Sequence, residues 1–138
     1  MRRFLAPLVL TAAILSAGSA SAHEDLAFFE YGSADLQADG YSTARNVVFY
    51  ASMPEWANHS VIINAHLDTA EADEFSNELA LRRAQAMASE LVVLGINPAR
   101  ICMFGHAATR PIRPTHPHTR EPLNRYLNVG MTNSPRPC

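Results

Sequence analysis

The sequence predicts an α/β sandwich in which two main helices pack on one sheet. Two segments with apolar residues at helical spacing alternate with short segments rich in aromatic or β-branched residues. A chain of 138 residues is long enough for one domain with one modest core. The predicted order is strand, helix, strand, helix, strand, long loop, strand, which is typical of a two-layer α/β domain.

The first half of the chain supplies a strand, a helix and a second strand. The aromatic residues of Phe28–Tyr31 predict a short strand that ends at Gly32. Over Asp39–Ser52 the apolar side chains recur at helical spacing, and Pro54 then ends the helix. The β-branched run Val61–Ile63 predicts a buried strand.

The second half supplies the longer helix and two more strands. The segment Thr69–Glu74 is polar and mostly acidic, which predicts a connecting loop. A helix is predicted over Ser76–Leu94, with Gly95 as its stop signal. Strands are predicted at Ile101–Phe104 and Tyr126–Met131. The long loop between them is marked by four prolines: Pro111, Pro114, Pro117 and Pro122.

The N-terminal segment has the pattern of a cleavable signal peptide. Arg2 and Arg3 precede an apolar run at Phe4–Leu15, and Ala20–Ala22 is an A-x-A cleavage pattern. The apolar run is shorter than the roughly 20 residues that span a bilayer. We therefore expect cleavage after Ala22 and export to the periplasm. An uncleaved N-terminal anchor is the alternative.

Cleavage would leave a mildly acidic domain. We assign residues 1–22 to the signal peptide, residues 23–131 to the domain and residues 132–138 to an irregular C-terminal tail. Without Arg2 and Arg3 the chain keeps 9 of its 11 basic residues against 13 acidic ones, which gives a net charge of −4. A domain with this charge and no basic stripe is a poor match for nucleic acid.

The chain has two cysteines, Cys102 and Cys138. An exported, oxidising compartment permits a disulfide between them, which would tie the last residue of the chain to a strand. Two unpaired thiols, with Cys102 buried in its strand, are the alternative.

Asp68 and Arg83 are the most informative charged residues. Asp68 follows the buried strand that begins at Val61, and Arg83 lies on the helix that comes next. A carboxylate can receive an ammonium group, and a guanidinium can hold a carboxylate through two parallel hydrogen bonds. Across a small cleft, the two side chains would together suit a zwitterion. From the residues alone, a direct salt bridge between them without a ligand is the alternative.

Seven short blocks follow one another in the order of a known family. Phe29–Leu36 corresponds to F-D-F-D-S-A-x-L, Ala65–Asp68 to G-H-T-D, and Phe75–Ala84 to Y-N-x-x-L-S-x-x-R-A. Four shorter blocks complete the series: Gly95–Ile96, Arg100–Ile101, Gly105–Pro111 and Asn124–Leu127. On these blocks the chain resembles the OmpA-like domain family, which is found in outer-membrane protein A, peptidoglycan-associated lipoprotein and MotB.

This resemblance implies a β/α/β/α/β fold on a mixed sheet and non-covalent binding of the peptidoglycan stem peptide. In the family, the Asp of G-H-T-D and the Arg of R-A hold the ammonium and the carboxylate of diaminopimelate. Asp68 and Arg83 stand at these positions. The implied partners are peptidoglycan and other envelope proteins, in the periplasm at the cell wall or outer membrane. No enzyme activity, catalytic residue, metal or cofactor is expected.

The blocks also assign neighbouring positions. The expected ligand-side residues are Gly32, Leu67 and Ser76, and the expected structural residues are His66, Asn124 and Arg125. Four positions depart from the family. Ala65 replaces a Gly, Leu67 replaces a Thr, and Ser76 replaces an Asn. Glu71 replaces a loop Gly, which adds charge. The alternative function is therefore a diverged OmpA-like protein-interaction module of the cell envelope without peptidoglycan affinity.

A third hypothesis is a periplasmic metal-binding protein. It rests on four histidines: His66, His106, His116 and His118. No Cys or acidic ligand lies at metal spacing around the last two, so ordinary loop and core roles are favoured. The serines lack the G-x-S-x-G context of a nucleophile, and the sequence has no glycine-rich phosphate loop.

Overall fold

The computed structural model describes residues 24–132, which form a four-stranded sheet and two main helices. The strands are β1 (Asp25–Phe28), β2 (Val61–Ala65), β3 (Ile101–Gly105) and β4 (Tyr126–Met131), and the helices are α1 (Ala38–Ala51) and α2 (Thr69–Val93). Three short 3₁₀ turns lie at Pro54–Trp56, Pro98–Arg100 and Pro122–Asn124. The expected signal peptide and its cleavage after Ala22 lie outside the described residues, as do Cys138 and residues 133–138 of the expected irregular tail. These expectations stay predictions.

The sheet has the order β1-β4-β2-β3 and is mixed. β4 runs antiparallel to both β1 and β2, whereas β2 and β3 are parallel. Parallel neighbours need a crossover connection, and α2 supplies it between β2 and β3. Both helices contact the sheet and each other. The predicted α/β sandwich is therefore confirmed.

The core lies between the helices and one face of the sheet. In β2 the burial alternates, so that Val61, Ile63 and Ala65 are fully buried while the two residues between them are partly exposed. Alternation of this kind places successive side chains on opposite faces of a strand. From the long helix, the apolar side chains of Leu79, Met87 and other residues complete the core. Cys102, which lies in β3, is 8% exposed.

The beginning of α2 corrects the sequence prediction. A loop is predicted over Thr69–Glu74, but the first turns of α2 lie there. Asp68 Oδ1 accepts a hydrogen bond from the Glu71 backbone, and the Glu71 side chain accepts one from the Asp68 backbone. This reciprocal capping box satisfies two backbone donors and begins the helix early. Ser76, with a φ of +56°, then interrupts the helix.

Gly95 ends α2 as the sequence predicts. Its φ of +107° is a conformation that side chains with a Cβ rarely adopt, and its backbone donates to Val92. Within residues 24–132, neither helix is both long and apolar enough to cross a bilayer.

Candidate functional site

Four charged side chains are buried close to the junction of β2 and α2. They are Asp68, Glu71, Arg83 and Arg125, and their exposed fractions are 1%, 0%, 0% and 8%. We call these two acidic and two basic residues the charged cluster. Burial of a charge is costly unless pairing and hydrogen bonds offset the lost hydration. The partners of each group therefore decide what the cluster can do.

Arg83 holds the carboxylate of Glu71 with both ends of its guanidinium. Arg83 Nη1 lies 2.8 Å from Glu71 Oε1, and Nη2 lies 2.5 Å from Oε2. The backbone N–H of Gly32 donates a third hydrogen bond to Oε2 at 2.8 Å. Paired guanidinium–carboxylate bonds are among the strongest hydrogen bonds in proteins. The three donors form a carboxylate-binding site, and the side chain of Glu71 fills it.

The other donors of Arg83 bond backbone carbonyls. Nε donates to Ser33 O at 2.8 Å, Nη2 to Glu30 O at 3.1 Å, and Nη1 to His66 O at 3.3 Å. A guanidinium has five N–H donors, and here each of them has an acceptor. Arg83 therefore has no donor left for an external carboxylate while Glu71 stays in place.

Asp68 is held by three donors. Its Oδ1 accepts from the Glu71 backbone at 2.7 Å, and its Oδ2 accepts from the Glu121 backbone at 3.0 Å and from Arg125 Nη1 at 3.2 Å. A carboxylate offers about four acceptor positions. One position, on Oδ1, is thus left without a protein donor in these contacts.

Arg125 and Asn124 connect the last loop to the charged cluster. Besides its bond to Asp68, Arg125 donates from Nε to the backbone oxygen of Phe29 at 3.0 Å. The Asn124 amide donates to Arg113 O at 2.7 Å and accepts from Arg113 N at 2.8 Å. Such bonds are what the expected structural roles of both residues require, and the roles themselves stay predictions.

Asp68 and Arg83 lie in one cluster but do not bond each other. Each takes a different partner, Arg125 for Asp68 and Glu71 for Arg83. The alternative of a direct Asp68–Arg83 salt bridge is therefore wrong. The two side chains also do not line an open cleft, because both are buried. Their role as ligand-binding groups stays a prediction, and it requires the cluster to open.

The other expected ligand-side residues have three different environments. Gly32, which donates to the cluster, has a φ of +67°, and a Cβ there would lie 2.9 Å from the ring of Phe75. Leu67 is 1% exposed and belongs to the apolar core, so a ligand would not reach its side chain in this packing. Ser76 is exposed, at the break in α2.

Aromatic residues cover the Gly32 side of the cluster. The rings of Tyr31 and Phe75 meet edge to face, with 5.7 Å between their centroids. The Tyr31 hydroxyl donates to Glu74 Oε2 at 2.6 Å, and this bond raises the pKa of Tyr31. The Arg120 guanidinium lies over the Tyr31 ring, 3.7 Å from its centroid. This cover must move if a ligand is to enter beside Gly32.

His66 precedes the cluster in the sequence, but its ring contacts aromatic and amide side chains. Its ring stacks on Tyr126 and on His106, with centroid distances of 4.1 Å and 5.0 Å. Nε2 lies 3.0 Å from Asn128 Oδ1, whereas Nδ1 is buried without a hydrogen-bond partner. Burial lowers the pKa of His66 to about 4, so its ring is neutral at pH 7.

The loop histidines do not support a metal site in residues 24–132. His116 and His118 are exposed, and His118 Nδ1 lies against the carboxylate of Asp73. No group of three or more His, Cys, Asp or Glu side chains in this part of the chain could hold a metal ion.

Glu71 is the residue of the charged cluster whose pairing the sequence prediction misses. The sequence identifies it as a departure from the family pattern, with no indication that it pairs with Arg83. The spacing of Asp68 and Glu71 is that of a capping box. That signal places Glu71 on the first turn of a helix, although it does not predict the twelve-residue reach to Arg83.

Residues 28–125 match the sequence profile of the OmpA family. This chain belongs to the OmpA family. The matched range contains all four residues of the charged cluster. Peptidoglycan binding is typical of this family, and OmpA-like domains are binding modules rather than enzymes.

This OmpA-family chain is similar to bacterial envelope proteins along about three quarters of its length. It is 30% identical over 112 residues to an outer membrane protein of Gluconacetobacter diazotrophicus, covering 75% of this chain and 29% of that protein. It is 28% identical over 102 residues to the peptidoglycan-associated lipoprotein of Pseudomonas aeruginosa, covering 74% and 59% respectively. The chain thus spans less than two thirds of either relative.

Solved structures support the fold of this OmpA-family domain. The OmpA-like domain of FopA1 from Francisella tularensis aligns with a TM-score of 0.67 and 22% identity, covering 78% of this chain and 70% of that one. The peptidoglycan-associated lipoprotein from Burkholderia pseudomallei gives a TM-score of 0.65 and 17% identity, covering 78% and 90%. A periplasmic domain of Helicobacter pylori MotB gives 0.61 and 18%, covering 78% and 71%.

Proposed function

We propose that this domain binds peptidoglycan non-covalently in the periplasm, through the diaminopimelate residue of the stem peptide. The observation that carries the proposal is the carboxylate-binding site formed by Arg83 and the backbone N–H of Gly32. The carboxylate of Glu71 fills this site, and its fit supports the proposal that a ligand carboxylate can bind there. A ligand carboxylate would take the place of the Glu71 carboxylate, one anion for another.

The ammonium of the ligand would bind Asp68. Its Oδ1 oxygen accepts only the Glu71 backbone N–H, which leaves about one acceptor position for a further donor. Asp68 and Arg83 both belong to the charged cluster, so one end of diaminopimelate can present its two charges to them together. Lysine carries the ammonium but lacks the second carboxylate, and it should therefore bind much more weakly.

The proposed location and mode of action rest on separate observations. The relatives are outer-membrane and peptidoglycan-associated proteins by name, and the first 22 residues have the pattern of a signal peptide. We infer that the domain acts by holding the cell wall, without a catalytic step. Its contribution would be to the organisation of the cell envelope.

A second candidate function, protein interaction without peptidoglycan binding, is favoured by the hydrogen bonding of Arg83. All five of its donors are in use, and both its side chain and that of Glu71 are completely buried. If Glu71 never leaves, the domain is a protein-interaction module of the cell envelope without affinity for peptidoglycan.

Sedimentation with purified sacculi distinguishes the two functions. The full exported protein should sediment with sacculi that contain diaminopimelate, and free meso-diaminopimelate should release it. Sacculi with lysine at that position should retain much less protein. Arg83→Ala should abolish binding, while Arg82→Ala, an exposed neighbour on the same helix, should not. Retention that is equal on both kinds of sacculi would overturn the proposed recognition of diaminopimelate.

A further inference from the structure

We infer that Glu71 is an internal competitor that sets the affinity of this site for carboxylate ligands. The inference rests on the proposed function and deepens it. In the described structure the Glu71 carboxylate takes both terminal nitrogens of Arg83 and the Gly32 N–H. These are the donors that an external carboxylate needs. Ligand and Glu71 therefore cannot occupy the site together.

Competition within one chain lowers the apparent affinity without changing the contacts of the bound ligand. Only molecules in which Glu71 has left the site can bind, so the apparent Kd is the intrinsic Kd divided by the open fraction. Glu71 is fully buried, and its carboxylate accepts four hydrogen bonds, two from Arg83 and one each from the Gly32 and Asp68 backbones. These contacts favour the closed form strongly. The wild-type protein should accordingly bind diaminopimelate weakly.

Removal of the Glu71 side chain should leave the helix start in place. It removes one half of the capping box, the bond from the Asp68 backbone N–H to Glu71 Oε1 at 3.3 Å. The other half, from the Glu71 backbone N–H to Asp68 Oδ1 at 2.7 Å, does not need a side chain at position 71. A Gly at this position keeps that bond and is also the residue of the family pattern. The carboxylate-binding donors of Arg83 and Gly32 would then face an unfilled space.

The central experiment compares wild-type protein with Glu71→Gly for binding of meso-diaminopimelate by calorimetry. Glu78→Gly is the matched control, because Glu78 is an exposed residue of the same helix and carries the same helix-breaking substitution. Glu71→Gly should bind more than tenfold tighter than wild type, and Glu78→Gly should bind like wild type. Equal or weaker binding by folded Glu71→Gly, when wild type binds, would overturn the inference.

A second measurement keeps the inference testable if diaminopimelate is not the ligand. Acetate, used as the simplest carboxylate, should raise the Tm of Glu71→Gly because it restores the partner of Arg83. Chloride at the same ionic strength should not raise it, and neither wild type nor Glu78→Gly should respond to acetate. Absence of any acetate response would count against an unfilled carboxylate site and would overturn the inference.

The outcomes separate the inference from the proposed function. If acetate protects Glu71→Gly but no variant binds diaminopimelate or sacculi, Glu71 fills a carboxylate site and the proposed peptidoglycan function is wrong. If wild type and Glu71→Gly bind diaminopimelate equally, the function stands and the inference fails. Should Glu71→Gly not fold, Glu71→Gln removes the charge while keeping the side-chain shape, and it should bind several-fold tighter than wild type.

Discussion

The charged cluster and the stacked rings of His66, Tyr126 and His106, which we call the His66 stack, both bury polar groups. Asp68 and His66 are only two residues apart in the sequence, but their polar atoms are accommodated in opposite ways. In the charged cluster, each donor of Arg83 has an acceptor, and Asp68 accepts three bonds. His66, in contrast, is nearly as buried but leaves Nδ1 without a partner. It gains stacking contacts with the rings of Tyr126 and His106 instead.

The two regions differ in their hydrogen bonding because the cluster residues are charged, whereas the ring of His66 is neutral. A buried ion needs close opposite charges and full hydrogen bonding, because its lost hydration costs several kcal/mol. A neutral imidazole loses much less hydration, and it can avoid the cost of charge by staying unprotonated, which is why burial lowers the pKa of His66. The stability of the charged cluster therefore depends on each hydrogen-bonding partner, whereas the stability contributed by His66 depends on pH.

The largest expected effect is that of Arg83→Ala. The substitution leaves the Glu71 carboxylate buried with only backbone donors, which should lower the free energy of unfolding by about 3–5 kcal/mol. Urea denaturation measures the change. Arg82→Ala, at an exposed position, should change stability by less than about 0.5 kcal/mol. Similar free energies of unfolding for the two variants would show that the buried Arg83–Glu71 pair contributes little to stability.

Asp68→Ala should have the next largest effect. It removes the helix cap and leaves Arg125, which is 8% exposed, without its carboxylate partner. We expect a loss of about 2–3 kcal/mol from these two causes. Asp68→Asn keeps an acceptor for the cap, so it should recover part of the loss. If both variants lose the same amount of stability, the helix cap does not contribute to the loss.

Acidification should destabilise the protein through His66. The pKa is about 4 in the folded state and about 6.5 in the unfolded state, so the unfolded state binds the extra proton first as the pH falls. Stability from this group is complete above pH 6.5 and is lost towards pH 4. By pH 4.5 we expect a loss of about 2 kcal/mol.

The variant His66→Phe isolates this contribution. A phenyl ring retains the stacking on Tyr126 and cannot be protonated, although it loses the bond to Asn128. The difference in stability between pH 7.5 and pH 4.5 should therefore be about 2 kcal/mol smaller in the variant than in wild type. Parallel curves for the two proteins would exclude His66 as the source.

The smallest effect should come from Arg120→Ala. Its guanidinium lies over the ring of Tyr31, but the contact is at the surface, where such an interaction contributes about 0.5–1 kcal/mol. If this contact holds the cover over Gly32, the variant should bind diaminopimelate slightly faster in stopped-flow measurements. A rate identical to that of wild type would mean that the cover does not limit entry.

Much of the fold could be predicted because the signals are local. The strand at Tyr126–Met131 is found at its predicted bounds, and the helix predicted over Asp39–Ser52 differs by one residue at each end. The strand predicted over Phe28–Tyr31 lies earlier, at Asp25–Phe28, so that only Phe28 is common to both. The prediction is also wrong at Thr69–Glu74, where the acidic composition indicates a loop. There the capping contacts of Asp68 outweigh the polar composition and begin the helix.

The site could be predicted only in part. The family motifs predict Asp68 and Arg83 as site residues, whereas the partners of these two side chains depend on tertiary structure. Arg125 reaches Asp68 across 57 residues of sequence, and Arg83 reaches back twelve residues to Glu71. Neither spacing is a helical i, i+4 pair, so no periodicity reveals it. The pairing is decided by which side chains the fold brings together.

The two buried carboxylates also bond amides that belong to no helix or strand. The N–H of Gly32 donates to Glu71, and the N–H of Glu121 donates to Asp68. Amides in connecting segments normally exchange their hydrogens with water quickly, because they open at little free-energy cost. These two should exchange slowly. Their exchange rates would then report, residue by residue, how often each half of the charged cluster opens in the native protein.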